Sequence, residues 1–278
     1  MDDAARLEIA IRAAREGGRK ALEYLGNPLF IRVKDRRDLA LGSAERVQDA
    51  IINVLREAVP DEAILAEEGP DDEPLPVDAE RLWIVDPICG SINYYQRVPM
   101  YAVCVGFREG SSFRLGVVYD PSRDELFTAI QGSGAKLNGQ PINVHRPGEG
   151  EDVYDDTLIG TDLSGRPERR VHGLRTASHA AKRLLGVHML GSPALGLCYV
   201  AAGRFHGYFH YDLRLWDVAA AAVIVTEAGG VLTDITGASW LYSRGGYLAT
   251  NGALTGVLLR LFADADKNQP KLTGTPST

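Results

Sequence analysis

The sequence predicts an α+β first half followed by an α/β second half. Two amphipathic helical patterns precede a run of strand patterns between residues 63 and about 145, and beyond about residue 157 strands alternate with helices. The acidic, glycine-rich stretch 147–156 (PGEGEDVYDD) separates the two patterns. The expected units are therefore residues 1–146, residues 147–266, and a polar tail over 267–278 that is expected to be disordered.

The first helix follows from Leu7, Ile11, Ala14, Gly18, Ala21, Leu22 and Leu25 at helical spacing, ending near Gly26-Asn27-Pro28. A short strand over Phe30 to Lys34 follows, then a loop at Asp35-Arg36-Arg37-Asp38, which is too charged to bury. The second helix carries Val47, Ile51, Val54 and Leu55 on one face, with Ser43 as its expected N-cap. The strand series reads AILAEE, LWIVDP, YAVCVGF, FRLGVVYDP and ELFTAIQ, punctuated at Glu109-Gly110, Gly132-Ser133-Gly134 and Asn138-Gly139. In the second half TLIGTD, VHMLG, FHGYFH and VLTDI read as strands. Between them Arg166 to Leu185, Ser192 to Ala202 and Trp216 to Ala228 read as helices, the last closed by Gly229-Gly230.

Length and composition set limits on function. At 278 residues, 45% of them hydrophobic, the chain has ample material for a core. A net charge of −7 argues against nucleic acid as the main partner, because phosphate-backbone binding needs clustered Lys and Arg. It leaves room for small phosphorylated ligands, whose charge a bound cation neutralises. The cysteines, Cys89, Cys104 and Cys198, form no C-x-x-C pair, so neither a disulfide framework nor a structural zinc site is expected. No signal peptide and no apolar run of about 18 residues is seen, so the expectation is a cytoplasmic protein without a membrane span.

Three acidic segments are candidates to converge. Glu67 and Glu68 end the apolar AILA strand, Asp86 ends the WIV strand where Pro87 forbids its continuation, and Asp217 sits in the first turn of an alanine-rich helix. Three carboxylates on rigid element ends suit Mg²⁺, which requires several oxygen ligands. His206 and His210 fall on one face of a predicted strand, which makes His210 a pocket candidate. His172 and His179 are expected to be exposed helix residues.

The run DPICGSIN (residues 86–93) resembles the D-P-[IL]-D-G-[ST]-x-N motif of the inositol monophosphatase family. AEEG (66–69) resembles that family's G-E-E-S segment, and WDVAAAAVIVTEAGG (216–230) its W-D-x-A-A-G…E-A-G-G segment, in family order. The resemblance implies a layered αβαβα sandwich of the inositol monophosphatase/fructose-bisphosphatase type and, by analogy, a homodimer. It implies metal ligation by Glu67, Asp86, the Ile88 carbonyl and Asp217, with Glu67, Asp86 and Ser91 in catalytic roles. Gly90 and Ser91 match a phosphate-holding turn, Gly191, Ser192 and Ala194 a second backbone contact region, and His210, Asp212 and Arg214 the substrate-reading segment. Mg²⁺ is the implied ion, Mn²⁺ an acceptable substitute, and a softer ion at Cys89 is not expected.

The pattern breaks at three positions. Cys89 replaces a carboxylate of the second cation position, and a thiol gives Mg²⁺ almost nothing. Ala44 stands where an Asp would accept a proton through the Ser91 hydroxyl, and His210 where the family often has Glu. A nucleophilic role for Cys89 at a helix N-terminus is disfavoured, because C-G-S-I lacks an arginine-ended phosphate loop. The expected function is therefore hydrolysis of a sugar or cyclitol phosphate around Mg²⁺ with a weakened second metal site. The alternative is a family member that keeps the cleft without hydrolysing phosphate, as a binding or regulatory protein or an enzyme of different chemistry.

Overall fold

The two opening helices lie on one face of a large sheet, and small residues let them approach it closely. The computed structural model describes residues 1–27, 31–35, 38–69, 76, 78–146, 152–241 and 246–267. Helix α1 (Asp3–Tyr24) is followed by a small hairpin, β1 (Ile31–Asp35) and β2 (Asp38–Leu41), and by α2 (Gly42–Ala58). Then come β3 (Ala63–Ala66), β4 (Arg81–Cys89), the short α3 (Ser91–Tyr95), β5 (Ala102–Glu109), β6 (Ser112–Asp120), β7 (Glu125–Ile130), β8 (Ala135–Leu137) and β9 (Gln140–Ile142). The second half comprises β10 (Leu158–Thr161), α4 (Pro167–Ala180), β11 (Gly186–Met189), α5 (Pro193–Ala201), β12 (Gly207–His210), α6 (Leu215–Glu227), β13 (Val231–Asp234), β14 (Tyr247–Thr250) and α7 (Thr255–Lys267).

Strands β3 to β9 form a seven-stranded sheet in sequential order, antiparallel except for the parallel β3–β4 pair. The second sheet has the order β11-β10-β12-β14-β13, with β10 parallel to β11 and β12 and the other two pairs antiparallel. One apolar cluster unites α1 and α2 with the first sheet, another places α5 and α6 between the sheets, and a third packs α4 and α7 on the second sheet's outer face. These are the five layers of an αβαβα sandwich.

Glycines fix the spacing of the middle layer. A Cβ on Gly116 of β6 would stand 2.0 Å from the Ala220 carbonyl oxygen, and one on Gly106 of β5 3.2 Å from the Ala220 amide. Helix α6 therefore rests its Ala219–Ala222 stretch on bare backbone, which sets the depth of Asp217 at its start.

Several expectations change. The buried face of α1 is Ile9, Ala10, Ala13, Ala14, Gly17, Gly18 and Ala21 together with Arg6, whereas Leu22 is exposed. A side chain on Gly17 or Gly18 would collide with Ile51 or Tyr119, so the close contact selects small residues over leucines. Ser43 lies inside the first turn of α2, which begins at Gly42, and so does not cap it. Pro87 does not end β4, which continues to Cys89 through a bulge. Helix α4 stops at Ala180, short of Leu185. His206 precedes β12; Asp35 and Asp38, expected in a loop, end β1 and begin β2; and β2, α3, β8, β9, β14 and α7 lie outside the expected elements. Phe30, Arg36, Arg37, residues 147–151 of the expected boundary and residues 268–278 lie outside the described residues.

Candidate functional site

The site is built around a register slip in β4. Asp86 pairs with Cys104 and Cys89 with Ala102, so three residues of β4 span what two residues of β5 span. The extra residue is a β-bulge, the one interior sheet position where a proline such as Pro87 costs no ladder hydrogen bond. Regular alternation would put Asp86 and Cys89 on opposite faces. The bulge reverses the phase instead: Leu82, Ile84, Cys89, Ala102 and Cys104 belong to the core between the sheets, while Trp83, Val85 and Ile88 face the α1–α2 side. Asp86 and Cys89 thus point the same way.

The Asp86 carboxylate is buried, and its Oδ1 accepts the Ile88 N–H at 3.0 Å. Its Oδ2 has no hydrogen-bond partner among the described residues. Burial first, then the neighbouring Cys89, Glu67 and Asp217, push its pKa well above the usual carboxylate range. All three named neighbours are acidic groups. Glu67 lies just past β3, where its N–H donates to the Val85 carbonyl at 3.2 Å, and its half-buried carboxyl is within hydrogen-bonding reach of Asp86. Gln48 of α2 brackets Glu68, accepting its N–H at 2.8 Å and donating to its carbonyl. Asp217 caps its own helix by accepting the Arg214 N–H at 2.7 Å and remains half-buried.

Cys89 is not at a helix N-terminus of its own. It ends β4, with Gly90 between it and α3. Its Sγ accepts the Ala194 N–H of α5 at 3.3 Å, and its carbonyl accepts the Ser192 hydroxyl at 2.7 Å. The Cys104 thiol is a hydrogen-bonding neighbour, and that contact together with burial drives the Cys89 thiol pKa well up. Asp86, Cys89 and Cys104 present ligand atoms that all lie within 4.8 Å of one another. Cys104 was not foreseen as part of the site, because only strand pairing brings it there.

Two glycine turns meet at the mouth. Gly90 has φ 116°, and a Cβ on it would stand 2.9 Å from the Gly191 carbonyl oxygen. Gly191 has φ 73°, and Asn93 fills the space where its Cβ would go. Asn93 Nδ2 ties the turns together by donating to the Met100 and Leu190 carbonyls, at 2.8 and 2.7 Å. From behind, Asp162 accepts the Gly191 N–H and, at 2.8 Å, the Tyr208 hydroxyl. Burial raises Asp162 to about 6 against these stabilising donors.

The remaining expected residues are less tightly gathered. His210 is buried and its Nδ1 accepts the Asp212 N–H at 3.0 Å, with burial lowering its pKa to about 4. The ring is neutral at pH 7. Asp212 is engaged by the Ser164 hydroxyl at 3.0 Å and the Arg166 guanidinium at 3.2 Å, while the Arg214 side chain is exposed. His206 stacks edge-on against His145 and accepts the Leu158 N–H, which is a structural role. His172 and His179 are half-buried rather than exposed, and His172 packs on the Tyr211 ring. Ala44 is buried among Val47, Ile51 and Tyr94, so the first turn of α2 offers no proton acceptor at that position.

Comparison with known proteins agrees with this architecture. The model of the Inositol monophosphatase family matches residues 2–267. A Pseudomonas aeruginosa protein named Nus factor SuhB is 34% identical over 252 residues, 88% of this chain and 91% of its own. Its Escherichia coli K12 namesake is 33% identical over 264 residues, covering 93% and 96%. The solved structure of extragenic suppressor protein suhB from Bartonella henselae superposes with a TM-score of 0.85 at 29% identity, covering 95% of this chain and all of that one. The Thermotoga maritima IMPase gives 0.84 at 28%, covering 95% and 98%. Among the described residues no helix is long and apolar enough to cross a membrane. The relatives are named as factors, so the expectation of no nucleic-acid partner, drawn from net charge, finds no support in them. Matched over nearly its whole length and in its fold, the chain belongs to the inositol monophosphatase family.

Proposed function

We propose that the protein binds a small phosphate ester, a sugar or cyclitol phosphate, around one divalent cation and hydrolyses the phosphomonoester. The family is generally Mg²⁺-dependent. The observation that carries the proposal is the buried Asp86 carboxylate, with an unpartnered Oδ2 and acidic groups as its neighbours. Such an arrangement is unfavourable until a cation joins it. Glu67, Asp86, the Ile88 carbonyl and Asp217 would hold the ion, since oxygen donors on rigid element ends suit a hard cation. Bound there, the ion neutralises phosphate charge and acts as a Lewis acid on the ester. The fit fails at the family's second Mg²⁺ position, where Cys89 and Cys104 offer only sulfur.

The chain's own groups do the rest. Gly90 and Ser91 hold the phosphate, and the Ser91 hydroxyl orients water. Gly191, Ser192 and Ala194 form the opposing wall. His210, with Nδ1 occupied as an acceptor, is left with a neutral Nε2–H and would donate to a substrate hydroxyl. Asp212 is already engaged by Ser164 and Arg166, so its part is to position that segment, with Arg214 at the rim. The site draws on both the 1–146 and 147–266 portions, and a homodimer is part of the same reading.

A second reading is favoured by the buried Cys89 thiol and by the relatives' name: the cleft binds a phosphorylated ligand without turning it over. Phosphate release from a panel of sugar and inositol phosphates with Mg²⁺ or Mn²⁺ separates the two. Release that Asp217→Asn abolishes supports hydrolysis, whereas no release in either metal, with inositol phosphate still bound by calorimetry, selects the second reading. Cys89→Asp combined with Ala44→Asp should raise turnover if those two losses are what limits it.

A further inference from the structure

We propose that Asp86, Cys89 and Cys104 form a binding site for a thiophilic divalent cation, Zn²⁺, at the position where Mg²⁺ does not fit. This goes beyond the phosphate-ester reading and does not depend on it, because it concerns what the resting protein holds in the absence of substrate.

The ligand atoms of these three residues all lie within 4.8 Å of one another, and all three are buried. Around tetrahedral zinc, with Zn–S near 2.3 Å and Zn–O near 2.0–2.2 Å, neighbouring ligand atoms stand about 3.5–3.8 Å apart. Closing the present arrangement onto an ion therefore needs shifts of about 1 Å, within reach of side-chain rotation. Hard cations are excluded by the same atoms, since two sulfurs are poor partners for Mg²⁺.

A pair of buried cysteines alone is ordinary core material, and Cys198 of α5 is an example in the same cluster. Two further observations distinguish Cys89 and Cys104. The Asp86 Oδ2 beside them is fully buried and has no hydrogen-bond partner among the described residues, a costly state that a coordinated cation removes. The Cys89 Sγ also receives the Ala194 N–H at 3.3 Å, from the first turn of the nine-residue α5. An amide donor and a helix N-terminus directed at sulfur both favour the ionised form that binds metal. Asp217 lies outside this group of mutually close ligand atoms, so the three residues leave the fourth tetrahedral position to water. Asp217 and Glu67, the acidic neighbours of Asp86, are half-buried.

The bulge explains why the donor set is coherent. It turns Cys89 to the face that Asp86 and Cys104 already share, so a strand pairing and a phase reversal together assemble sulfur ligands separated by fifteen residues in sequence. The spacing alone resembles no zinc motif.

The test uses the full chain, reduced and stripped with a chelator, then equilibrated with Zn²⁺ or Co²⁺. The wild type should retain one zinc per chain after desalting, and with Co²⁺ should develop a near-ultraviolet sulfur-to-metal charge-transfer band with tetrahedral d–d absorption. Cys89→Ala and Cys104→Ala should each weaken zinc binding by about a hundredfold or more, and Cys104→Ser covers a failure of the alanine variant to fold. Cys198→Ala should keep the zinc. Absence of both the zinc equivalent and the cobalt band in the wild type overturns the proposal, as does full zinc retention by both the Cys89 and Cys104 variants. A Cys89–Cys104 disulfide in freshly isolated protein, with no zinc uptake after reduction, also overturns it. Phosphate release with Mg²⁺ is read in a separate assay, so failure of the hydrolytic proposal leaves the zinc result standing.

Discussion

The two faces of β4 treat buried charge in opposite ways. On the α1–α2 side, Arg6 and Glu62 form an ion pair at 2.7 Å, and Glu62 also accepts the Trp83 indole N–H at 2.7 Å. The Arg6 guanidinium lies 4.6 Å from the centre of the Phe107 ring. Opposite charges meet there, so the charge is balanced from within, although Arg6 Nε is buried without a hydrogen-bond partner among the described residues. On the other face, Asp86 has the acidic groups of Glu67, Asp217 and Cys89 as neighbours, and one of its oxygens has no partner among the described residues. A buried pair of opposite sign is a structural device, whereas like-signed groups gathered in a core are stable only with a ligand. The proposed binding role of the second face rests on this difference in sign.

Substitutions that interrupt each face should separate these roles. Asp86→Asn removes the central carboxylate, and phosphate release should fall about 100-fold or more, measured by steady-state assay. The metal-free variant should nevertheless melt no lower than the wild type at pH 7. Because the folded pKa of Asp86 is raised, the native state binds that proton more tightly, so its contribution to stability grows as pH falls from neutrality toward 3.8 and is lost at higher pH. A large drop in melting temperature for this variant would count against the contrast between the faces.

Glu62→Gln should do the reverse, costing about 3–5 kcal/mol in urea unfolding through the stranded Arg6 charge while metal affinity is retained. His210→Asn keeps an acceptor for the Asp212 N–H. In the wild type, the unfolded chain protonates this histidine near 6.5 and the folded chain only near 4, so stability should decline by about 3 kcal/mol across that window as pH falls. The asparagine variant should show a flatter pH dependence there. Gly116→Ala should cost about 1–3 kcal/mol by forcing α6 off the sheet, and because Asp217 rides on that helix, kcat should fall with it. Normal turnover in a destabilised Gly116→Ala protein would show that the depth of α6 is not critical.

Much of this was legible in the sequence because it depends on local periodicity. Helices α1, α2, α5 and α6 and most strands of the first sheet follow from spacing and turn residues. Helix α7 has apolar positions at helical spacing, Leu258, Leu261, Phe262 and Ala265, and the outer face of the second sheet requires such a cover. The carboxylates Glu67, Asp86 and Asp217 could be picked out because each stands at the edge of an apolar or small-residue run. The groups that hold the site in shape could not. Cys104, Tyr208 and Gln48 are single polar or thiol residues inside otherwise regular elements, Asp162 follows β10 directly, and their partners lie far away in sequence. Their roles exist only once strands pair and helices dock.

The bulge at Pro87 bears on how spacing encodes chemistry. Residues three apart share a face in a helix and oppose each other in a regular strand. An i, i+3 pair would therefore ordinarily be taken as helical, yet Asp86 and Cys89 belong to one strand and share a face. The inserted residue acts as a frameshift in the alternation: everything before it is read in one phase and everything after it in the other. Deleting Pro87 would restore the frame and leave the β4–β5 pairing intact, while turning Cys89 away from Asp86. In this strand the shared face of Asp86 and Cys89 depends on the interruption of the repeat, and the motif's spacing records where that interruption lies.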